Sequence, residues 1–288
     1  METKTQDFNQ DPKILNSFLL NNQEIKKPSL LNPILQLQIA GKIFIKNWQP
    51  LILLALLPMF LNLIFGLVAL LMKWIVYIPF DQLEFHKNDN IVSLLGFVFS
   101  ISENFISNFP LMITFGLVFV ILELVAYLIS LIGQIVVLKN ADKKIDFQLI
   151  VNQIPHYLSR VSIFLIFYYL IFLLGLILLI IPAIIFIVFF NFGKFVIIFE
   201  DTSVKEAFKR SKELVKSYWW PVFKRYVFWI IFSLLIGISM LFLRIISNSD
   251  YLTAVFSNLI SLILTPLSII YFFVIYENLK LINNKINK

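Results

Sequence analysis

The sequence contains no cysteine and only two histidines, His86 and His156. Without cysteine, disulfides, thiolate nucleophiles, iron–sulfur clusters and cysteine-ligated zinc sites are all excluded. The two histidines are far apart in the sequence and lie outside the apolar runs. Because a catalytic zinc ion usually needs two or three such ligands, we expect neither a metal site nor a cofactor.

Charged residues are also scarce. They make up 14% of the 288 residues, whereas a typical soluble domain has about 25%. Apolar residues make up 59%, phenylalanine alone accounts for 31 positions, and the mean hydropathy is +0.87. A soluble protein of this composition would expose large apolar patches. The composition therefore predicts an all-α integral membrane protein with several spans, surrounded largely by lipid.

Six apolar segments are long enough to cross a bilayer, since about 20 residues rising 1.5 Å each cover the ~30 Å hydrocarbon layer. The predicted spans are 50–72, 109–138, 162–181, 182–200, 226–246 and 252–276. Pro182 separates the third span from the fourth, because proline suits the first turn of a new helix. The apolar run 91–102 is too short to span. We place it on the outer interface, and its re-entry into the bilayer is the alternative.

Polar segments flank and interrupt the predicted six-span membrane domain of residues 30–280. A polar tail precedes this domain at 1–29, and a short basic tail follows it at 281–288. Two amphipathic stretches, at about 34–48 and 203–220, have apolar residues at helical spacing next to basic residues. Both are predicted to be interfacial helices.

The stretch 203–220 has the clearest local pattern. Ser203 and Glu206 form a capping box at its start. Basic residues occupy the helix faces that carry no apolar residue. We expect this helix to lie flat on the inner leaflet, where anionic lipid attracts each basic residue by about 1 kcal/mol. The residues expected to bind the membrane surface are Lys205, Lys209, Arg210, Lys212, Lys216, Trp219 and Trp220.

Lysine and arginine are distributed unevenly over the predicted topology. Twenty of them fall on the side that carries both termini, and three fall on the other side. By the positive-inside rule, we expect a multi-pass protein of the plasma membrane with both termini in the cytoplasm. The net charge of +7 is explained by this topology, so no nucleic acid partner is expected.

Polar residues inside the spans are candidates for a functional site, because they are costly in lipid. Glu123 lies near the middle of its span and shares a helical stripe with other polar residues. The residues of this predicted intramembrane polar site are Glu123, Tyr127, Ser130, Gln134, Asn191 and Lys194. Polar residues at helical spacing also serve close packing and hydrogen bonding between membrane helices. A proton- or ligand-coupled site and a packing contact therefore both stay open for Glu123.

Residues 175–235 carry the motifs of a family resemblance. The pattern consists of Ile180-Ile181-Pro182, the apolar run Phe189 to Phe199, Glu200, and Ala207-Phe208-x-Arg210-Ser211-x-x-Leu214-Val215-Lys216 followed by Trp219-Trp220. It resembles the membrane domain attached to some bacterial glycerophosphoryl diester phosphodiesterases, and the stand-alone relatives of that domain. Many relatives have glycine after the proline, where this sequence has Ala183.

The resemblance implies a six-span layout over residues 34–280. In the two-domain enzymes, the chemistry belongs to a separate soluble barrel rich in carboxylates and histidine. The 288 residues leave no room for such a barrel, so phosphodiesterase activity is not expected of them.

The sequence also has no Gly-rich phosphate loop, no paired carboxylates at hydrolase spacing, no Ser–His pair and no zinc-protease helix motif. We therefore expect no enzyme. The leading hypothesis is a scaffold or accessory protein that organises lipid, or partner proteins of the membrane or cytosol, through its basic helices. The alternative is a transporter of a small molecule or lipid that is coupled to protons by Glu123. An intramembrane enzyme is the least favoured hypothesis.

Overall fold

The computed structural model describes residues 30–75, 91–141, 147–178 and 180–286. These residues are helical apart from short turns, and they contain no strand. The helices are α1 Pro33–Lys46, α2 Trp48–Ile75, α3 Ile91–Lys139, α4 Phe147–Leu178, α5 Ile180–Phe190, α6 Gly193–Glu200, α7 Val204–Lys216, α8 Trp219–Ser247 and α9 Asp250–Ile286. The predicted tail 1–29 lies outside the described residues. Most of the predicted tail 281–288 is the last part of α9.

Within the residues that the structure describes, six helical segments are long and apolar enough to cross a membrane. They are Trp48–Val68, Ile113–Lys139, Phe147–Leu178, Ile180–Glu200, Trp219–Ser247 and Leu252–Asn284. Each overlaps one predicted span, so the prediction of an all-α, six-span protein is confirmed. The protein is therefore a multi-pass membrane protein. Some helices start well before the apolar run, as α4 does at Phe147, because helical geometry continues through polar interfacial residues that hydropathy does not count.

The run 91–102 is not a separate helix. It forms the first part of α3, a continuous helix of 49 residues that extends over about 74 Å at 1.5 Å per residue. Pro110 lies inside this helix, and the Thr114 hydroxyl donates a 2.7 Å hydrogen bond to the carbonyl of Pro110. Such bonding by threonine is one reason why proline is tolerated within membrane helices.

Helices α4 and α5 form the hairpin predicted at Pro182, which lies in the first turn of α5. A Cβ atom added to Gly175 of α4 would lie 2.8 Å from the Cα and 2.9 Å from the nitrogen of Ala183. Both residues are buried. Small residues at this position allow the two backbones to touch, as is typical of packed membrane helices.

The chain divides into two compact units, Leu57–Tyr127 and a larger unit formed by Met1–Leu56 with Leu128–Lys288. In the larger unit, the buried side chains form one cluster at one end of the helices, which we call the packed end. The packed end consists of α1, the start of α2, the last part of α3, the first half of α4, the end of α5, α6, α7, the first turns of α8 and the second half of α9. Beyond it, α8 and the first half of α9 expose large apolar side chains, as expected for helices that face lipid.

Both predicted amphipathic helices exist, as α1 and α7, and each buries residues against other helices of the protein. The buried residues of α1 are Gln36, Ile39, Ala40 and Ile43, and those of α7 are Ala207, Ser211, Leu214 and Val215. The Ser211 hydroxyl donates a 2.7 Å hydrogen bond to the carbonyl of Phe189, and the Asn283 amide donates a 3.3 Å bond to the carbonyl of Leu214. The polar face of α7 is therefore available to a membrane or a partner, whereas α1 also exposes the apolar side chains of Ile34 and Ile45.

Candidate functional site

Four lysines form a stripe along α7, which we call the lysine stripe. Its members are Lys205, Lys209, Lys212 and Lys216, and all four are exposed. Their spacing of four, three and four residues confines them to about 60° of the helix circumference, since successive residues turn by about 100°. The buried residues of α7 lie on the opposite side. The lysine stripe therefore points away from the protein core.

Arg210 was predicted to bind the membrane surface with these lysines. Unlike them, it lies close to two carboxylates of the protein. Its Nε lies 3.5 Å from Glu200 Oε2, and its Nη1 lies 3.8 Å from Glu213 Oε2. The Tyr276 hydroxyl donates a 2.8 Å hydrogen bond to Glu200 Oε1. The charge of Arg210 is thus offset by carboxylates within the protein. Arg210 joins α6, α7 and α9 and does not extend the lysine stripe.

Trp219 and Trp220 form the first turn of α8. The ring centre of Phe223 lies 5.3 Å from that of Trp219 and 5.4 Å from that of Trp220. The Lys224 Nζ lies 5.6 Å from the Trp220 ring centre. Trp220 is exposed, whereas Trp219 is half-buried against the core. An exposed tryptophan beside a lysine is typical of residues at a membrane interface.

The turn between α6 and α7 is held by a small ionic cluster. Arg160 Nη2 donates a 2.7 Å hydrogen bond to Asp201 Oδ1, and His156 Nε2 lies 3.3 Å from the same oxygen. Partial burial acts to raise the pKa of Asp201, but the hydrogen bonds from Arg160 and His156 outweigh this effect and hold the pKa below its usual value of 3.8. The ionised carboxylate therefore fixes the turn in which Asp201 adopts a left-handed backbone conformation with φ 50°.

Lys139, at the end of α3, also bonds within the protein. Its Nζ donates hydrogen bonds of 2.6 Å to the carbonyl of Ile198 and 3.0 Å to the Tyr157 hydroxyl. The ring centre of Tyr157 lies 5.3 Å from this Nζ and 5.5 Å from the Arg160 guanidinium carbon. Helices of the packed end are thus connected by the charged side chains of Lys139, Arg160 and Arg210. The side chains of the lysine stripe are instead exposed.

A buried arginine connects the chain before α1 to α8. Arg225 is 6% exposed. Its Nε donates a 3.1 Å hydrogen bond to Gln36 Oε1, its Nη1 donates a 2.5 Å bond to the carbonyl of Pro221, and its Nη2 donates to the carbonyl of Leu31. The backbone N–H of Leu31 in turn donates a 3.1 Å bond to Asn278 Oδ1 of α9. Arg225 therefore holds the start of α1 against the packed end.

Glu123 has a partner on α2 within the smaller unit. The Asn62 amide donates a 2.8 Å hydrogen bond to Glu123 Oε1 and a 3.1 Å bond to the carbonyl of Pro58. Among the described residues, no hydrogen-bond partner reaches Glu123 Oε2, which is shielded from solvent. In the same unit, the rings of Phe65 and Phe119 stack with their centres 3.7 Å apart. Glu123 thus joins α2 to α3 through one hydrogen bond, which uses only one of its two carboxylate oxygens.

The other predicted intramembrane residues lie in different surroundings. Ser130 and Gln134 are buried in the larger unit, where Gln134 Nε2 donates a 2.9 Å hydrogen bond to Ser130 Oγ. Tyr127 belongs to the smaller unit with Glu123 and is exposed. These four residues share a helix but belong to two units, because a stripe on one helix can pack against several neighbours along its length.

Asn191 and Lys194 are brought together by the turn between α5 and α6. Lys194 Nζ donates a 3.2 Å hydrogen bond to Asn191 Oδ1 and lies 5.6 Å from the Phe195 ring centre. Both residues belong to the larger unit. Within the described ranges, no three histidine, aspartate or glutamate side chains are grouped so that they could hold a metal ion.

Comparison with known proteins identifies the family. The model of a family described as a domain of unknown function, DUF7847, matches residues 88–279, about two thirds of the chain. The chain belongs to this family. No curated protein and no solved structure matches it.

The DUF7847 match begins just before α3 and ends within α9. It includes Glu123, the lysine stripe and Arg225. The partner of Glu123 is Asn62 on α2, and one partner of Arg225 is Gln36 on α1. Both partners lie outside the matched segment. The two hydrogen bonds therefore attach the N-terminal helices to the DUF7847 segment.

Two residues of this DUF7847 protein acquire their importance only from the structure. In the predicted topology, Arg225 is one of the positive charges that flank span 226–246. No local sequence pattern marks it as buried. Asn62 was outside the predicted polar site. The signal that favours its pairing with Glu123 is that the two polar residues lie in two predicted spans that follow each other in sequence.

Proposed function

We propose that this protein is a non-catalytic scaffold or accessory protein of the plasma membrane that binds an anionic surface through the lysine stripe of α7. The observation that carries the proposal is that four aligned lysines are exposed on a helix whose opposite face is buried in the protein. The proposed surface is the anionic inner leaflet. An acidic partner protein of the membrane or cytosol is the alternative occupant.

The electrostatics of the lysine stripe support this proposal. Lys205 and Lys209 are four residues apart, as are Lys212 and Lys216, and such like-charged pairs each destabilise a helix by about 0.2–0.5 kcal/mol. Among the ion pairs of the described residues, none involves a lysine of the stripe. On an anionic membrane each lysine would instead contribute about 1 kcal/mol of binding. The stripe therefore costs stability in isolation and becomes favourable on an anionic surface.

The proposed topology has both termini in the cytoplasm, with the lysine stripe on the cytoplasmic side of the plasma membrane. The resemblance to the membrane domain of glycerophosphoryl diester phosphodiesterases belongs to the same proposal. A membrane domain of that kind would anchor or organise other molecules.

Vesicle binding tests the proposal. Protein held in phosphatidylcholine nanodiscs should co-sediment with vesicles that contain phosphatidylglycerol, and added salt should weaken the binding. Changing all four lysines of the stripe to glutamine should weaken the affinity by about 700-fold, because four contributions of about 1 kcal/mol are lost.

The matched control changes the same four lysines to arginine, which preserves the charge and should preserve vesicle binding. The arginine variant should keep the thermal stability of the wild type, since all four side chains are exposed. The glutamine variant should be slightly more stable, because it loses two like-charged pairs. Equal vesicle binding by the glutamine variant and the wild type would reject the anionic membrane as the bound surface.

A second candidate function, proton-coupled transport, is favoured by the hydrogen bond between Asn62 and Glu123. Glutamine at position 123 would still accept this bond but would no longer exchange a proton. If Glu123 couples transport, proteoliposomes should show a pH-dependent solute flux that Glu123→Gln abolishes.

If Glu123 serves only helix packing, Glu123→Gln should leave the thermal stability unchanged. Asn62→Leu should then lower it, because Glu123 would lose its hydrogen-bond donor. A flux that survives in the Glu123→Gln variant would exclude Glu123 as the coupling residue.

A further inference from the structure

A cavity of about 620 Å³ opens at the packed end, where α1 is followed by α2 and where the end of α3 and the start of α4 approach them. Its volume is within the usual range for small-molecule sites, about 300–1,000 Å³. The lining residues used here are Lys46, Asn47, Trp48, Gln49, Leu53 and Phe147. The cavity lies wholly within the larger unit and contains no member of the lysine stripe.

The lining of this cavity is amphipathic. Lys46 is exposed and is the one ionisable side chain among the described lining residues. The apolar walls are Trp48, Leu53 and Phe147, whose exposed fractions are 49%, 51% and 43%. A single cation beside aromatic and aliphatic walls matches a ligand with an anionic head and an apolar tail, and basic pockets between membrane helices are known to bind anionic headgroups.

The direction of the apolar wall favours a membrane lipid over a soluble anion. Trp48 begins α2, and Leu53 lies five residues further along the span, about 7.5 Å deeper at 1.5 Å per residue. Tryptophan is enriched at the headgroup level of a bilayer. An acyl chain beginning beside Trp48 would therefore continue along Leu53 into the hydrocarbon layer.

We propose that this cavity binds one anionic phospholipid, with its phosphate at Lys46 and an acyl chain along Trp48 and Leu53. Phe147, at the start of α4, also lines the cavity. The bound lipid would contact both α2 and α4. The Asn47 amide donates its hydrogen bond to the carbonyl of Ile43 and so holds the connection between α1 and α2 beside the cavity.

Native mass spectrometry of the full chain in detergent tests this proposal by titration with phosphatidylglycerol and with phosphatidylcholine. The wild type should bind one phosphatidylglycerol more tightly than phosphatidylcholine. Lys46→Gln should weaken the binding of phosphatidylglycerol by about five-fold, the factor that corresponds to about 1 kcal/mol for one lysine near a membrane surface. Phe147→Ala should weaken the binding of both lipids, because it removes an apolar wall.

Lys224→Gln, at an exposed position outside both the cavity and the lysine stripe, is the matched control. It removes the same charge from α8 and should leave this single lipid site unchanged. The vesicle experiment changes only the lysine stripe, so a failure of the cavity proposal is distinguishable from a failure of the vesicle experiment. Glycerol 3-phosphate, which carries the phosphate without the acyl chains, should not compete at lipid-saturating concentrations. Equal binding by Lys46→Gln and the wild type, or full competition by glycerol 3-phosphate, would overturn the proposal of a lipid site.

Discussion

Replacing Arg225 with methionine should lower the free energy of unfolding by about 3–5 kcal/mol, one of the two largest effects expected for this protein. Methionine has a similar length but cannot donate. Gln36 Oε1 and the carbonyl of Leu31 would lose the guanidinium while they remain buried. An unsatisfied buried polar group costs about 1–3 kcal/mol, so loss of several such bonds accounts for the size of the effect.

Thermal and denaturant unfolding of the purified protein measure this change. Lys224→Met is the matched control, because Lys224 is the exposed neighbour of Arg225 in sequence and its replacement should alter the stability by less than about 0.5 kcal/mol. Equal stability of the two variants would show that the buried hydrogen bonds of Arg225 are not important for folding.

A double-mutant cycle with Gln36→Leu separates the arginine–glutamine bond from the rest of the network. Because leucine has no polar group to leave unsatisfied, the double variant should be less destabilised than the sum of the two single variants. The remaining loss would then report on the bonds from Arg225 to the carbonyls of Pro221 and Leu31.

Replacing Gly175 with alanine should destabilise the protein by about 1–3 kcal/mol, the usual cost of overpacking a close contact. The added Cβ would lie 2.8 Å from the Cα of Ala183. That atom belongs to the backbone, so no side chain can rotate away to make room. The α4–α5 hairpin would have to separate, which weakens its packing.

Gly237→Ala in α8 is the control for this substitution. No heavy atom lies within 4 Å of a Cβ built at Gly237, and alanine favours a helix over glycine by about 1 kcal/mol. Its stability should therefore be unchanged or slightly raised, opposite in sign to that of Gly175→Ala. If thermal unfolding showed the same shift for both variants, the close approach of α4 and α5 would not contribute to stability.

The two substitutions probe two ways in which the larger unit is held together. Gly175 permits direct contact between two spans, whereas Arg225 attaches the residues before α1 by polar bonds that are shielded from solvent. The proposed lipid cavity lies where α1 meets α2. Loss of the Arg225 bonds would therefore be expected to disturb that cavity as well, while the exposed lysine stripe of α7 would keep its charge.

Features that depend on neighbouring residues were predictable from the sequence. Apolar length alone determined the six spans, because a hydrocarbon layer of about 30 Å requires about 20 apolar residues in any fold. Ser203 and Glu206 determined where α7 begins, and the capping box is present in the structure. Pro182 marked the hairpin for the same reason, since its effect on the helix is local.

Features that depend on distant residues were decided only by the tertiary structure. Periodicity shows which face of α7 is apolar, but it does not show whether lipid or protein covers that face, and in the structure it is protein. The partner of Glu123 is 61 residues away in sequence, and Arg225 bonds to Leu31 at a separation of 194 residues. A buried polar group bonds to whichever partner the fold brings near it. The sequence of one helix alone does not predict which distant residue that partner is.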